Sequence, residues 1–128
     1  MRIKIVRSKC MEDMGGLFIR DKRFCDTFEP CGQIPTGEYK LVRGAHPVDG
    51  HPVPMIKDVP TIGDVFFYSA ERSAEKPYRL SCGIGVGHFT EDENFFIWGY
   101  SCLLSLFRIM GRYWIAGEEV VLEIKEEK

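Results

Sequence analysis

The sequence predicts an α+β fold: a single domain over residues 1–128, mostly β, with one helix in its C-terminal half. Three observations carry that expectation. Short runs of alternating or β-prone residues recur along the chain and are separated by turn residues. A lone apolar stripe of helical period lies between residues 101 and 117. The 128 residues are 45% hydrophobic and 28% charged, the mixture of one globular domain with a real core.

The elements follow in order. Residues 3–6 alternate hydrophobe and charge and read as a strand, with Arg2, Lys4, Arg7 and Lys9 as its wet side. Leu17-Phe18-Ile19 and residues 24–28 flank the polar residues 20–23, which suggests a hairpin whose turn type is open because no glycine is present. Residues 30–37 are rich in turn formers and lead into a strand over 38–42. The stretch 44–54 holds Pro47, Pro52 and Pro54, so it is expected to be a loop, with 53–56 at most a short edge strand. Residues 64–69 read as a strand, 71–76 as a charged loop, and 82–89 and 94–98 as two strands around the acidic turn Glu91-Asp92-Glu93. Leu103, Leu106, Phe107, Met110 and Trp114 fall on one helical stripe that Ser101 can cap and Gly117 can end. Val120, Leu122 and Ile124 alternate with charges in a closing strand.

Composition excludes several partners. A net charge of −2, with scattered basic residues, gives no nucleic-acid footprint. No apolar run approaches the ~20 residues of a membrane-spanning helix, and the alternating N-terminus is not a secretory signal, so no membrane partner and a cytoplasmic location are expected. The five cysteines, Cys10, Cys25, Cys31, Cys82 and Cys102, form no Cys-x-x-Cys pair. Their odd number argues against a disulfide framework, and most are expected to be small buried hydrophobes. No cofactor is indicated.

Two constellations could carry chemistry. In Cys82-Gly83-Ile84-Gly85-Val86-Gly87 the glycines share one strand face and are one residue short of the dinucleotide fingerprint. Their bare face either lets a ring or another backbone sit close or forms a cleft floor at which Gly83 and Gly85 meet a ligand. Cys82 is the candidate nucleophile and needs a base or a positive field. His88 has the same parity but lies ~20 Å along a straight strand at ~3.3 Å per residue. Tyr68, Tyr78 and Arg79 are alternative neighbours. The second constellation is His46-Pro47-Val48-Asp49-Gly50-His51, which offers zinc-type donors but also has the composition of a surface turn. The turn is preferred, and no metal is expected. The aromatic group Phe95, Phe96, Trp98, Tyr100, Tyr113 and Trp114 reads as core.

Several segments carry a resemblance to a known family. Thr27-Phe28-Glu29, Gln33-Ile34-Pro35-Thr36-Gly37-Glu38-Tyr39, residues 64–70, Leu80-Ser81-Cys82-Gly83-Ile84 and residues 117–124 occur in a recognisable order. Together they resemble uncharacterised small bacterial and phage-associated proteins that are themselves similar to the L,D-transpeptidase (YkuD-like) domain. The resemblance implies an L,D-transpeptidase-like sheet or barrel core and a cysteine acyl-transfer site for peptidoglycan-like peptides. In that family a cysteine attacks a peptide carbonyl, a histidine is its base, and nearby backbone amides hold the oxyanion. Cys82 matches the nucleophile, while Tyr68 stands where the imidazole is expected. A phenol with pKa near 10 is a poor base at neutral pH. The resemblance therefore implies a catalytically silent accessory or binding module, with a peptidoglycan-like peptide or a protein as partner. The alternative is a cysteine acyl-transferase or amidase using Cys82, with Gly83, Gly85 and Arg79 in its binding site.

Overall fold

A computed structural model describes residues 1–9, 13–29, 34–47, 50–70, 83–90 and 95–127. Among the described residues, nine strands and one helix follow in the order β1 (Arg2–Arg7), β2 (Met14–Ile19), β3 (Lys22–Phe28), β4 (Gly37–Ala45), β5 (Pro52–Val59), β6 (Gly63–Ser69), β7 (Gly83–Thr90), β8 (Phe95–Ile97), α1 (Gly99–Ile115) and β9 (Val120–Glu126).

Eight of these strands close on themselves. The ladder runs β3-β2-β1-β9-β4-β5-β6-β7, and β7 pairs back onto β3 through Asp26–Gly87, Thr27–Val86 and Phe28–Gly85. β8 hangs from the far end of β7. Neighbours are antiparallel except β1–β9 and β6–β7, which are parallel. A closed barrel leaves no open edge in its wall, and eight strands enclose a space that side chains alone can fill.

The period-2 pattern fills it. Ile3 and Ile5 of β1, Leu41 of β4, Val65 and Phe67 of β6, Ile84 and Val86 of β7, and Leu122 and Ile124 of β9 are buried in one continuous core. α1 closes the end at which β1 begins, called the lower end here. Cys102, Leu103, Leu106 and Met110 point into the core, and the Trp114 indole N–H donates to the Leu41 carbonyl at 3.1 Å. The expected stripe is therefore real but rotated. Phe107 and Trp114 sit on its flank, packed edge-on to each other at 5.6 Å, with the Arg43 guanidinium over the Phe107 ring.

Local chemistry explains where the elements turn. The β2–β3 connection is two residues, Arg20 and Asp21, both at positive φ (52° and 63°), as the right-handed twist of a tight hairpin demands. α1 ends in a complete Schellman motif: Gly117 N–H bonds Trp114 O, Glu118 N–H bonds Tyr113 O, and Gly117 takes φ 78°.

Three expectations differ from the structure. Residues 44–54 are not a long loop, because β4 and β5 form a hairpin and Pro52 and Pro54 lie opposite Ala45 and Arg43. The recorded β5–β6 ladder starts only at Met55, so both prolines sit where β5 is paired on one side and no missing donor is felt. Ser101 does not cap α1. The helix begins at Gly99, and its N-cap, three residues earlier than expected, is Trp98 in the left-handed region (φ 56°, ψ 28°) with no side-chain cap. Arg7 is not on the wet side of β1; it shares the inward parity of Ile3 and Ile5.

Candidate functional site

The upper end of the barrel holds a buried polar cluster. Arg7 ends β1 facing inward, and Glu29 follows β3 with the inward parity of Cys25 and Thr27. Their side chains are only 14% and 4% exposed. Arg7 Nε donates to Glu29 Oε2 at 3.2 Å, and Nη2 donates to Glu29 Oε1 at 2.8 Å and to the Ile34 carbonyl at 2.6 Å. Nη1 reaches Glu126 at 3.4 Å. Burial pulls the Arg7 pKa down, but the bonds and charges of Glu29 and then Glu126 outweigh it and hold the guanidinium above its ordinary value. Satisfied on several sides, this pair ties β1, β3, β4's entry and β9 together rather than waiting for a substrate.

Tyr68 is 1% exposed, and its ring lies over the bare outer face of β7. A Cβ added at Gly83 would stand 2.9 Å from the ring, and one at Gly85 would stand 3.1 Å from Cζ and 2.9 Å from the Ala70 methyl. The glycines at every second residue thus make room for a phenol, one of the two readings of that spacing. Gly87 does the same for Phe96. Cys82 and Arg79, the other members of the expected site, lie outside the described residues, as do Tyr78, Asp49 and the turn Glu91-Asp92-Glu93.

The two described cysteines are poor nucleophiles. Cys25 and Cys102 are both buried. Burial, helped by neighbouring Cys102, pushes the Cys25 thiol up to about 12, and burial with Asp26 also raises Cys102. A thiol kept protonated at neutral pH neither attacks a carbonyl nor binds a metal readily.

All three histidines gather at the lower end. The His46 and His51 rings stack at 5.0 Å in the β4–β5 turn, which is closed by the His46 N–H to His51 O bond. His51 meets the Tyr100 ring edge-on at 6.4 Å, and His88 of β7 meets Trp98 at 6.0 Å. Among the described residues no three His, Cys, Asp or Glu side chains come together as a metal site.

Beside these imidazoles stands an exposed aromatic ledge. Trp98 is 65% and Tyr100 58% exposed, with Leu104 one turn further along α1. The expectation of an aromatic core holds for Phe96 and partly for Tyr113 and Trp114, but not for Trp98 and Tyr100. The Phe95 side chain lies outside the described residues. The ledge escaped sequence reading because Trp98 precedes the helical stripe and the turn direction of the chain at β8 is not written in periodicity.

No helix among the described residues is long and apolar enough to cross a membrane. With the geometry in hand, comparison with known families, curated proteins and solved structures finds no match to this chain.

Proposed function

We propose that this chain is a catalytically silent binding module of L,D-transpeptidase-like type that engages a peptide, either a peptidoglycan-like stem peptide or a segment of a protein, on the Trp98–Tyr100 ledge. The observation that carries this reading is Trp98. A bulky residue in the left-handed region costs about 1–2 kcal/mol, and leaving an indole mostly in water forgoes its burial energy. Among the described residues the edge-on contact with His88 returns only part of this, and glycine at that position would start α1 without the backbone strain. Flat aromatic side chains presented beside imidazoles suit a peptide, whose amide planes and apolar side chains stack on rings. The packing of Tyr68 on Gly83 and Gly85 also favours a silent module, because it gives the phenol a structural task.

The test uses Trp98 as its own reporter in a Trp114→Phe background. A synthetic stem peptide and an unrelated peptide of equal charge are titrated against indole emission. Saturable quenching or a blue shift by the stem peptide alone, lost in Tyr100→Ala, is the expected result. Emission that never responds to peptide sinks the proposal.

The acyl-transfer alternative keeps one supporting observation: Gly83, next in sequence to Cys82, lies against the Tyr68 ring. Its test is the alkylation rate of Cys82 against pH. A thiolate pKa near neutrality favours an enzyme, with Tyr68, Arg79 and the backbone at Gly83 and Gly85 as its remaining parts.

A further inference from the structure

We infer that the hollow between the C-terminal half of α1 and the β2–β3 turn binds a single-chain amphiphilic carboxylate, with its tail against the helix and its anionic head between Arg20 and Arg112. This goes beyond the ledge at the other end of α1 and stands independently of it.

The hollow measures about 460 Å³, within the ~300–1,000 Å³ typical of small-ligand sites. Its floor is apolar: Ile109 and Tyr113 of α1 and the C-cap Ala116 face Ile19 of β2 and Met1. Ile109, Tyr113 and Ala116 recur at the spacing of one helix face, and Ile19 and Tyr113 pack on the barrel core, so the floor is fixed by the fold. The charged side chains, Arg20, Arg112 and Glu118, carry a net single positive charge, and the Met1 ammonium adjoining them is bonded to the Glu119 carbonyl at 3.0 Å. An apolar floor with a cationic rim matches a ligand having a hydrocarbon body and one anionic end.

Arg20 reaches this hollow from the β2–β3 turn. It occupies the first central position of the two-residue turn at φ 52°, where glycine or asparagine sits without strain. From there its Nη2 donates to the Tyr113 hydroxyl at 2.9 Å across the mouth of the hollow. That bond uses one of five guanidinium N–H groups and aims the planar fork over the apolar floor. Arg112, exposed on the last turn of α1, faces the same space. A carboxylate between the two guanidiniums gains charge-assisted hydrogen bonds, while an uncharged head gains only the burial of its tail.

Isothermal titration of the full chain with decanoate, with decanol, and with anionic phosphatidylglycerol vesicles tests this. Decanoate should bind one to one below its aggregation threshold, and decanol at least tenfold more weakly. The double variant Arg20→Gln/Arg112→Gln should weaken decanoate about tenfold and leave decanol unchanged. Ala116→Trp, at an exposed helix C-cap of ordinary φ (−76°), should abolish binding of both while the thermal melt is retained. If that variant does not fold, the arginine pair decides alone. No saturable decanoate binding, decanoate and decanol of equal affinity, unchanged affinity in the arginine pair or in folded Ala116→Trp, or binding to vesicles without binding to decanoate would each overturn the inference.

Discussion

Replacing Glu29 with glutamine isolates the upper polar cluster. The substitution keeps the shape of the side chain but removes the negative charge that faces Arg7, whose side chain is only 14% exposed. Two bonds between opposite charges, at 2.8 and 3.2 Å, become at best one bond to a neutral amide oxygen, and beside it the guanidinium keeps Ile34 O and the longer contact to exposed Glu126. Breaking a buried pair from one side costs about 3–5 kcal/mol. The partial exposure of Arg7 and the second carboxylate place the expected loss at the lower end, about 3 kcal/mol. Urea denaturation of wild type, Glu29→Gln, Arg7→Met and the double variant forms a cycle. The double variant should recover most of the loss, since no charge is then stranded. The loss should also change little between low and high salt, unlike the exposed Lys4–Asp21 pair at 3.2 Å. A loss below about 1 kcal/mol, or one erased by salt, would mean that water reaches the cluster and that the reasoning is wrong.

Other expectations concern single contacts. Gly117→Ala meets no atom within 4 Å, so its cost of about 1 kcal/mol should come from φ 78° alone, and Gly117→Asn should recover part of it in a thermal melt. Gly85→Ala drives a methyl into Tyr68 and Ala70 and should cost about 1–3 kcal/mol, with the near-ultraviolet signal of Tyr68 altered. Because the Cys25 pKa rises from 9.0 to about 12 on folding, the unfolded chain loses this proton first as pH increases. Its contribution to stability is therefore complete below pH 9 and disappears between about pH 9 and 12, with a slope of up to ~1.4 kcal/mol per pH unit that Cys25→Ala removes from the unfolding curve. Peptide mapping after iodoacetamide should find Cys25 and Cys102 unmodified until the chain unfolds.

What could be read from the residues was whatever periodicity or turn chemistry writes locally. Val120, Leu122 and Ile124 announced β9, Gly117 announced the end of α1, and the spaced glycines of β7 announced a close approach. What escaped depends on distant neighbours. Arg7 follows the alternation of a strand that points it inward, yet a charge there is tolerable only because Glu29 arrives from another hairpin. Pro52 and Pro54 look like loop residues until the start of the β5–β6 ladder at Met55 shows that no partner asks for their missing donors. Trp98 resembles a core residue until the chain reverses at it. Of the expected site, Tyr68, Gly83 and Gly85 are seated together, and Cys82 and Arg79 fall outside the described residues.

The position of β9 governs how this barrel can be assembled. The last strand of the sequence slots between the first and the fourth, pairing with β1 in parallel and with β4 in the opposite sense. Until residues 120–126 leave the ribosome, β1 and β4 each present a row of unmatched amides and the wall has a gap one strand wide. Closure therefore waits for residues 120–126 and joins β1 to a segment more than a hundred positions away, the kind of pairing that slows folding and lengthens exposure to aggregation.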